Sequence, residues 1–303
     1  MNSKVAIVTQ SYKNDFEVCS LLCESIDRFA PSIKHFIFVN DEDYKLFQKL
    51  SYGNHVVYKK STVLPWYLIR IPWKIAGHHF HVSLFTIPVR EWIVQQICKL
   101  GVFEVIGKEY EAVFNIDSET VLMRDFNMSR LMGGNKFMMF RDEKQDEPSK
   151  QEYLKAAQKL LSLSEEDMET IGKYNYMNTP VCFVRENTEA LLRTLKKGSF
   201  LGSWKHTLCN TYRFSEYYTY GIFTDKLFGL KNHFIIHSHI FPQIEMSSCK
   251  DEKEFVEKMN CELAHSDVLG LWLQKKDRKN NENNYLDFES IKRSIKQYWD
   301  SNT

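Results

Sequence analysis

Short apolar runs and amphipathic segments alternate over the first sixty residues. Residues 5–8, 35–39 and 56–58 are almost entirely apolar and end at polar positions, as buried strands do. Residues 15–29 carry apolar side chains at helical spacing behind a capping Asp15, and residues 42–50 predict a shorter helix. The order strand, helix, strand, helix, strand is typical of an α/β fold with a parallel sheet.

The same patterns continue over the rest of the chain, with longer polar interruptions. Residues 61–88 hold three prolines and two tryptophans and give no assignment. The remaining segments predict strands at 111–116, 180–184 and 234–237, the last an edge strand, and helices at 89–100, 150–172, 188–195 and 287–299.

Composition and charge exclude several classes of protein. The chain has 303 residues, of which 43% are hydrophobic, so it can bury a large core and is not disordered in bulk. It has 40 basic and 39 acidic residues, whereas proteins that bind nucleic acids usually have an excess of basic residues, so a nucleic-acid partner is not expected. It shows neither an apolar run of ~18 residues for a membrane span nor a signal-peptide core. We therefore expect a cytoplasmic protein, free or at the inner face of the cytoplasmic membrane.

The seven cysteines are an odd number and are scattered along the chain without a Cys-x-x-Cys pair. This pattern predicts neither a zinc ribbon nor a disulfide framework. We expect buried free thiols.

The most informative motif is Asp117-Ser118-Glu119, which directly follows the apolar strand predicted at 111–116. Residues i and i+2 of an extended segment point the same way, so both carboxylates would face one side. Paired carboxylates bind hard cations such as Mg²⁺ or Mn²⁺, and ligands of open α/β sheets lie beyond the carboxyl ends of the strands. An acidic turn without catalytic meaning remains the alternative.

The Asp-Ser-Glu motif resembles the Asp-x-Asp element of glycosyltransferases with the GT-A fold. Together, W-x-x-Q-Q-x-x-K at 92–99, D-S-E-T-V-L at 117–122 and S-E-Y-Y-T-Y-G at 215–221 resemble the DUF6492 group of bacterial polysaccharide glycosyltransferases. The similarity covers roughly residues 3–245. One departure is Glu119 in place of the usual second Asp, which makes direct metal ligation there less secure.

The resemblance implies an α/β, GT-A-like catalytic domain over 1–245, with a mostly parallel central sheet flanked by helices. A helical C-terminal extension would follow over 246–303. It also implies metal-dependent transfer of a sugar, with Mn²⁺ or Mg²⁺, from a nucleotide-sugar such as a UDP-sugar to a hydroxyl of a surface polysaccharide or glycolipid. Peripheral association with the membrane, through the aromatic 64–85 region or the basic tail, is one further alternative.

Carried over residue by residue, the resemblance assigns roles along the chain. Gln96 and Lys99 would approach the ribose or the diphosphate, and Asp117 and Glu119 would take the metal or the donor ribose. His237, at the end of a predicted strand, would complete the metal site, with His239 as the second histidine of that segment. The residues expected to hold the nucleobase and ribose are Thr9, Ser11, Tyr12 and Asp15.

Glu216 is the candidate catalytic base. It lies among aromatic residues, where partial desolvation would raise its pKa toward the range of a general base. The alternatives are a helix-capping role or an ion pair with Arg213. The histidines at 78–81 have apolar neighbours, so we expect an acceptor-side loop there and not a transition-metal site.

Two other function classes stay open. A nucleotidyltransferase also places paired acidic residues on strands around metal ions, but it would release pyrophosphate from a nucleoside triphosphate. A non-catalytic glycan-binding protein would keep the fold without turnover. The sequence contains no Gly-x-Gly-x-x-Gly after the first strand and no P-loop, which disfavours the common dinucleotide and nucleotide-triphosphate sites.

Overall fold

Five strands form the central sheet of the computed structural model, which describes residues 4–143, 148–274 and 286–302. In chain order the strands are β1 (Lys4–Ser11), β2 (Lys34–Val39), β3 (His55–Lys59), β4 (Ile69–Arg70), β5 (Phe80–Val82), β6 (Val89–Arg90), β7 (Tyr110–Asn115), β8 (Thr120–Leu122), β9 (Met132–Gly133), β10 (Lys136–Phe140), β11 (Asp142–Glu143), β12 (Tyr174–Asn175), β13 (Val181–Val184), β14 (His233–Ile236), β15 (Gln243–Glu245) and β16 (Gly270–Gln274). The central sheet has the order β13-β7-β1-β2-β3. All its pairs are parallel except that of β13 with β7. The expected α/β class with a mostly parallel sheet is confirmed.

Helices cover both faces of this sheet, because parallel strands need crossover connections that pack back onto it. The helices are α1 (Phe16–Phe29), α2 (Tyr44–Phe47), α3 (Glu91–Gly101), α4 (Met128–Leu131), α5 (Pro148–Leu161), α6 (Glu165–Ile171), α7 (Arg185–Lys196), α8 (Trp204–Cys209), α9 (Glu216–Ile222), α10 (Glu252–Leu263) and α11 (Phe288–Ser301). Alternate residues of β1 pack on opposite sides: Val5 and Ile7 face α1, and Ala6 and Val8 face α3. No helix in the described ranges combines the length and apolarity that crossing a bilayer requires.

The unassigned segment 61–88 contains two strands of a small antiparallel sheet of the order β4-β5-β6. Several of its large apolar side chains are exposed, among them Trp66, Trp73 and Leu84. Segment 61–88 contains three prolines, and its apolar residues are irregularly spaced, so the sequence pattern did not predict these short strands. The sheet leads directly into helix α3.

A second sheet, of the order β14-β10-β9, lies beside β13. Strand β14 is at its edge and pairs in parallel with β10, which confirms the edge strand predicted at 234–237. The helix predicted at 150–172 is divided into α5 and α6 by a break at 162–164, where Ser164 caps α6 and Ser162 has a positive φ of 54°.

The C-terminal region contains α10, which the sequence pattern did not predict, and α11, which matches the helix predicted at 287–299. It also contributes a strand that the sequence pattern did not predict. Strand β16 lies between β15 and β8, antiparallel to β8. The Leu273 N–H donates to the Glu119 carbonyl at 2.7 Å. Strand pairing therefore crosses the boundary predicted at 245/246, and the C-terminal region holds the backbone that follows Asp117.

Gly270 allows this close strand pairing, and we expect Gly270→Ala to destabilise the protein by about 2 kcal/mol. A Cβ at this position would overlap the Phe241 ring and the Val121 carbonyl. The free energy of unfolding in urea measures the effect. The control is Gly198→Ala, whose Cβ would meet its nearest neighbour, Thr207, at an ordinary 3.4 Å. Equal stability losses in the two variants would contradict this account of β16.

Candidate active site

A buried lysine joins the three motif segments at the carboxyl end of the central sheet. Lys99 Nζ lies 3.2 Å from Asp117 Oδ1, 3.2 Å from Glu216 Oε1 and 2.6 Å from the Tyr217 hydroxyl. Lys99 is 7% exposed and Glu216 only 1%, whereas the Asp117 side chain is 34% exposed. Asp117 is therefore the member of this group that faces solvent most. We call these four residues the Lys99 cluster.

Local structure explains how these side chains meet. Helix α3 begins at the carboxyl ends of the strands, where Glu91 pairs with Lys60 directly after β3. Long side chains on a helix point toward its N-terminus, so Lys99 reaches back to the end of β7. The Ser215 hydroxyl accepts from the Tyr218 N–H and caps α9, which sets Glu216 in the first helical turn.

The electrostatics of the cluster follow from burial and proximity. Burial raises the pKa of Glu216, and Lys99 opposes this only in part. Burial by itself would lower the pKa of Lys99, but Asp117, Tyr217 and Glu216 together raise it well above its usual value. Lys99 is thus a fixed ammonium at neutral pH. Arg213 pairs with Glu152 and not with Glu216, so the ion pair considered from the sequence is absent.

Polar side chains that lack hydrogen bonds lie buried along the same edge of the sheet. Within the described residues, neither amide atom of Gln10 or of Asn115 has a hydrogen-bond partner, and the same holds for Asn178 Nδ2 and Thr179 Oγ1. Buried polar groups in folded proteins normally have partners. Asn115 aligns with Val8 of β1, on the side of the sheet that α3 covers. These groups are available to the polar atoms of a ligand.

The residues expected around the nucleobase divide into two groups. The Asp15 carboxylate accepts from the Ser118 hydroxyl at 3.4 Å and so contacts the loop that carries Asp117. Tyr12 is 38% exposed, and its carbonyl accepts from the Asp15 N–H. Ser11 is buried. Thr9 is fully buried, donates to the Ile116 carbonyl and contacts His35. This placement leaves no surface of Thr9 for a nucleobase, because alternation along β1 turns it inward toward α1.

The Asp117–Glu119 segment forms a turn and not the extended chain assumed from the sequence. The Thr120 N–H donates to the Asp117 carbonyl at 3.1 Å, which closes this turn. The i, i+2 argument for two parallel carboxylates therefore does not apply. The donor chemistry still fits a hard cation, since carboxylate oxygens are its preferred ligands and Asp117 is partly open to solvent.

The two candidate histidines occupy different surroundings. His237 is exposed directly after β14. His239 Nδ1 lies 3.2 Å from Asn178 Oδ1, and its ring packs on Phe140. Asn178 shortly precedes β13, whose Val181 aligns with Asn115 of β7. The structure thus links His239, more closely than His237, to the end of β7.

Gln96 is turned toward its own helix. It is buried, and its Nε2 donates to the Trp92 carbonyl at 3.1 Å. The Trp92 ring is partly exposed and stacks on Tyr153 with 5.6 Å between centroids. Trp92 therefore offers a surface to a ligand, whereas Gln96 supports the helix.

A cavity of about 540 Å³ adjoins the N-terminal half of α3. Its lining includes Trp92, Tyr153 and Arg213, together with His78 and His79 of the 61–88 segment. Asp117 does not line this cavity. Tyr153 connects the two regions, because it also packs against Tyr218 of α9 at 5.9 Å.

Sequence reasoning missed Gln10, Asn115, Tyr217 and Asn178. Asn115 did leave a signal, because it is an amide in the mostly apolar strand predicted at 111–116, whereas Gln10 stands in the polar run Thr9-Gln10-Ser11. An amide at such a position must find a partner within the fold or in a ligand.

Solved structures with related folds include several transferases. The bifunctional glycosyltransferase WbbM matches with a TM-score of 0.48 and 12% identity over 99% of this chain, which spans 50% of that chain. The galactosyltransferase LgtC in complex with donor and acceptor sugar analogs matches with a TM-score of 0.44 and 11% identity, over 98% of this chain and 95% of that one. The 4-diphosphocytidyl-2C-methyl-D-erythritol synthase of Anaerococcus prevotii matches with a TM-score of 0.39 and 9% identity, over 78% of this chain and 87% of that one. All three TM-scores are below 0.5.

Comparison of the sequence with family models identifies the family of this chain. No protein of curated function matches the sequence significantly. The model of a family of unknown function, DUF6492, matches residues 4–267, which include all four residues of the Lys99 cluster. The chain therefore belongs to the DUF6492 family.

Proposed function

We propose that this protein is a glycosyltransferase that moves a sugar from a nucleotide-sugar to a hydroxyl of a glycan or glycolipid acceptor. One observation carries the proposal. The three sequence segments that resemble glycosyltransferase motifs, 92–99, 117–122 and 215–221, contribute Lys99, Asp117 and the Glu216–Tyr217 pair to a single cluster. The cluster lies at the carboxyl end of the sheet, where α/β folds bind ligands.

In this proposal the donor binds across the ends of β1 and β7. Tyr12 stacks on the base, Asp15 accepts from the ribose, and the amides of Gln10 and Asn115 supply polar contacts. Lys99 offsets negative charge that develops on the leaving diphosphate. Bound Mn²⁺ or Mg²⁺ would supply Lewis acidity at the same oxygens, with Asp117 and Glu119 as proposed ligands and His237, or its neighbour His239, as the histidine that completes the site.

Glu216 is the proposed base for the acceptor. Its Oε1 has an ion pair with Lys99 but no hydrogen bond among the described residues, and burial has raised its pKa. It would take the proton of the acceptor hydroxyl as that oxygen bonds to the anomeric carbon and the bond to the diphosphate breaks. Transfer in one step inverts the anomeric centre, which NMR of the product can determine. The cavity beside Trp92 and Tyr153 is the proposed acceptor site.

We expect one nucleotide-sugar, first of all a UDP-sugar, to raise the melting temperature by roughly 3 °C or more at saturation. A ligand at 100 times its Kd stabilises a protein by about 2.7 kcal/mol. A thermal-shift panel of nucleotide-sugars, with Mn²⁺ or with chelator, measures the shift, and product analysis follows for each hit.

The products distinguish the alternatives. Release of a nucleoside diphosphate with a glycosylated acceptor supports the proposal. Release of pyrophosphate from a nucleoside triphosphate would instead indicate a nucleotidyltransferase. Glycan binding without nucleotide binding or turnover would indicate a non-catalytic glycan-binding protein.

A further inference from the structure

Three side chains with metal-binding atoms meet at a second place, between helix α1 and strands β2 and β3. The Sγ atom of Cys23, one ring nitrogen of His35 and one of His55 all lie within 4.8 Å of one another, and all three residues are buried. His35 Nδ1 is 2.9 Å from His55 Nδ1 and 3.9 Å from Cys23 Sγ. We call these residues the Cys-His-His cluster.

The fold brings these residues together from distant positions in the sequence. His35 and His55 are direct partners in the parallel register of β2 and β3. Cys23 is on the face of α1 that packs against these strands, together with Cys19, one helical turn earlier. Both histidines lie at the amino ends of their strands, whereas Asp117 follows the carboxyl end of β7. The cluster is thus separate from the candidate active site.

Hydrogen bonds around the rings determine where their protons reside. The Thr9 hydroxyl donates its hydrogen to the Ile116 carbonyl at 2.9 Å, so it must accept from His35 Nε2, also at 2.9 Å. The Asp27 carboxylate accepts from His55 Nε2 at 3.0 Å. Each neutral ring therefore carries its proton on Nε2 and a lone pair on Nδ1. Two lone pairs then face each other at 2.9 Å, an arrangement that requires a cation between them or an extra proton.

An extra proton is the weaker explanation. Burial lowers the pKa of His35 well below its usual value, and His55 adds to this effect. Burial also lowers the pKa of His55, although Asp27 opposes the shift. A third ligand atom, Cys23 Sγ at 3.9 Å from His35 Nδ1, lies beside the two nitrogens, which a metal ion explains and a shared proton does not.

We propose that Cys23 Sγ, His35 Nδ1 and His55 Nδ1 bind a transition-metal ion, best matched by Zn²⁺, as a structural site. Thiolate and imidazole ligands select zinc over Mg²⁺ or Mn²⁺. In a tetrahedral zinc site, nitrogen ligands are about 3.3 Å apart and sulfur and nitrogen about 3.6 Å apart. The observed 2.9 and 3.9 Å each differ from these values by a few tenths of an ångström, and the third distance, from Cys23 Sγ to the His55 nitrogen, is within 4.8 Å and would shorten on binding.

The surroundings match those of known metal-binding histidines, which usually donate their second ring N–H to a carboxylate, a carbonyl or another acceptor. Asp27 accepts this bond from His55, and Thr9 accepts it from His35. Cys19 is the candidate fourth ligand, since its thiol interacts with that of Cys23. The bound ion would tie α1 to β2 and β3.

The first test is metal content and spectroscopy of the full-length protein after removal of any affinity tag. We expect about one zinc per chain by mass spectrometry after expression with added Zn²⁺. Replacing zinc by Co²⁺ should give the intense visible bands of a tetrahedral ion and a thiolate-to-cobalt charge-transfer band. Zinc below about 0.1 per chain together with the absence of these bands would overturn the proposal.

Variants then assign the ligands. We expect Cys23→Ser to lower the intensity of the charge-transfer band by about half or more, since only Cys19 would remain as a sulfur ligand, whereas Cys182→Ser, the matched loss of another buried free thiol, retains it in full. Asp27 is 42% exposed at its side chain, so Asp27→Asn should fold and lower metal affinity about 10- to 100-fold. Equal loss of the band in both cysteine variants, or unchanged affinity in Asp27→Asn, would count against the site. Neither result depends on sugar transfer.

Discussion

Asp117→Asn is expected to lower the rate of sugar transfer at least about 100-fold while leaving the protein folded. The substitution keeps the size of the side chain but removes its charge, and with it the contact between a carboxylate and Lys99. Lys99 retains Glu216 as a partner, so no buried charge loses its last counter-ion. The rate of product formation, together with the circular dichroism spectrum, measures the two parts of the prediction.

Asp125→Asn is the matched control for this variant. Asp125 is an exposed carboxylate that shortly follows β8, outside the Lys99 cluster. The Asp125→Asn variant should transfer sugar at the wild-type rate. If Asp117→Asn retained the wild-type rate, with or without a chelator, Asp117 would have no role in the chemistry. If both variants lost activity equally, the loss could not be assigned to the Asp117 carboxylate.

Lys99→Met is expected to reduce the free energy of unfolding by about 3 kcal/mol at pH 8, because it leaves the buried Glu216 carboxylate without its counter-ion. The loss of unfolding free energy in Lys99→Met should be smaller at pH 5 than at pH 8. Burial has already raised the pKa of Glu216 above its ordinary 4.5, and removing Lys99 raises it further. A raised carboxyl pKa means that the folded state binds a proton more tightly, so stability falls as pH rises above 4.5.

Two further variants isolate the charge. Lys99→Met combined with Glu216→Gln removes both buried charges and should recover most of the lost stability, since neutral groups carry a smaller desolvation cost. Lys231→Met removes an exposed partner of Glu186 and should cost less than about 1 kcal/mol. Urea unfolding at pH 5 and pH 8 measures all four proteins. An identical loss at both pH values would show that Lys99 acts by packing alone.

The two proposed metal sites, at Asp117 and at Cys23, are distinguishable by their chemistry. The proposed active-site ion has two carboxylate ligands and one histidine at a site partly open to solvent, so Mn²⁺ or Mg²⁺ added to the assay should support turnover. The proposed structural ion is held by sulfur and nitrogen in the interior, so it should copurify with the protein. Metal analysis of the purified protein and metal titration of its activity therefore report on different sites.

Much of the architecture could be predicted from the sequence because its signals are local. The apolar runs that became β1, β2, β3 and β7 are periodic over a few residues, and buried parallel strands need nothing more to be recognised. The position of Asp117 after β7 followed in the same way. The strands at 69–70 and 80–82 are too short and irregular to leave such a signal, and β16 owes its conformation to pairing with β8.

The chemistry depended on contacts between distant parts of the chain. The sequence by itself determined the α/β sheet and the carboxylate at its edge, since hydrophobic periodicity and strand ends are written in neighbouring residues. Only the tertiary structure decided that Lys99 bridges Asp117 and Glu216, that Thr9 faces α1, and that residues 23, 35 and 55 converge. Side chains that come from separate elements meet through helix packing and strand register, and no local pattern encodes either one.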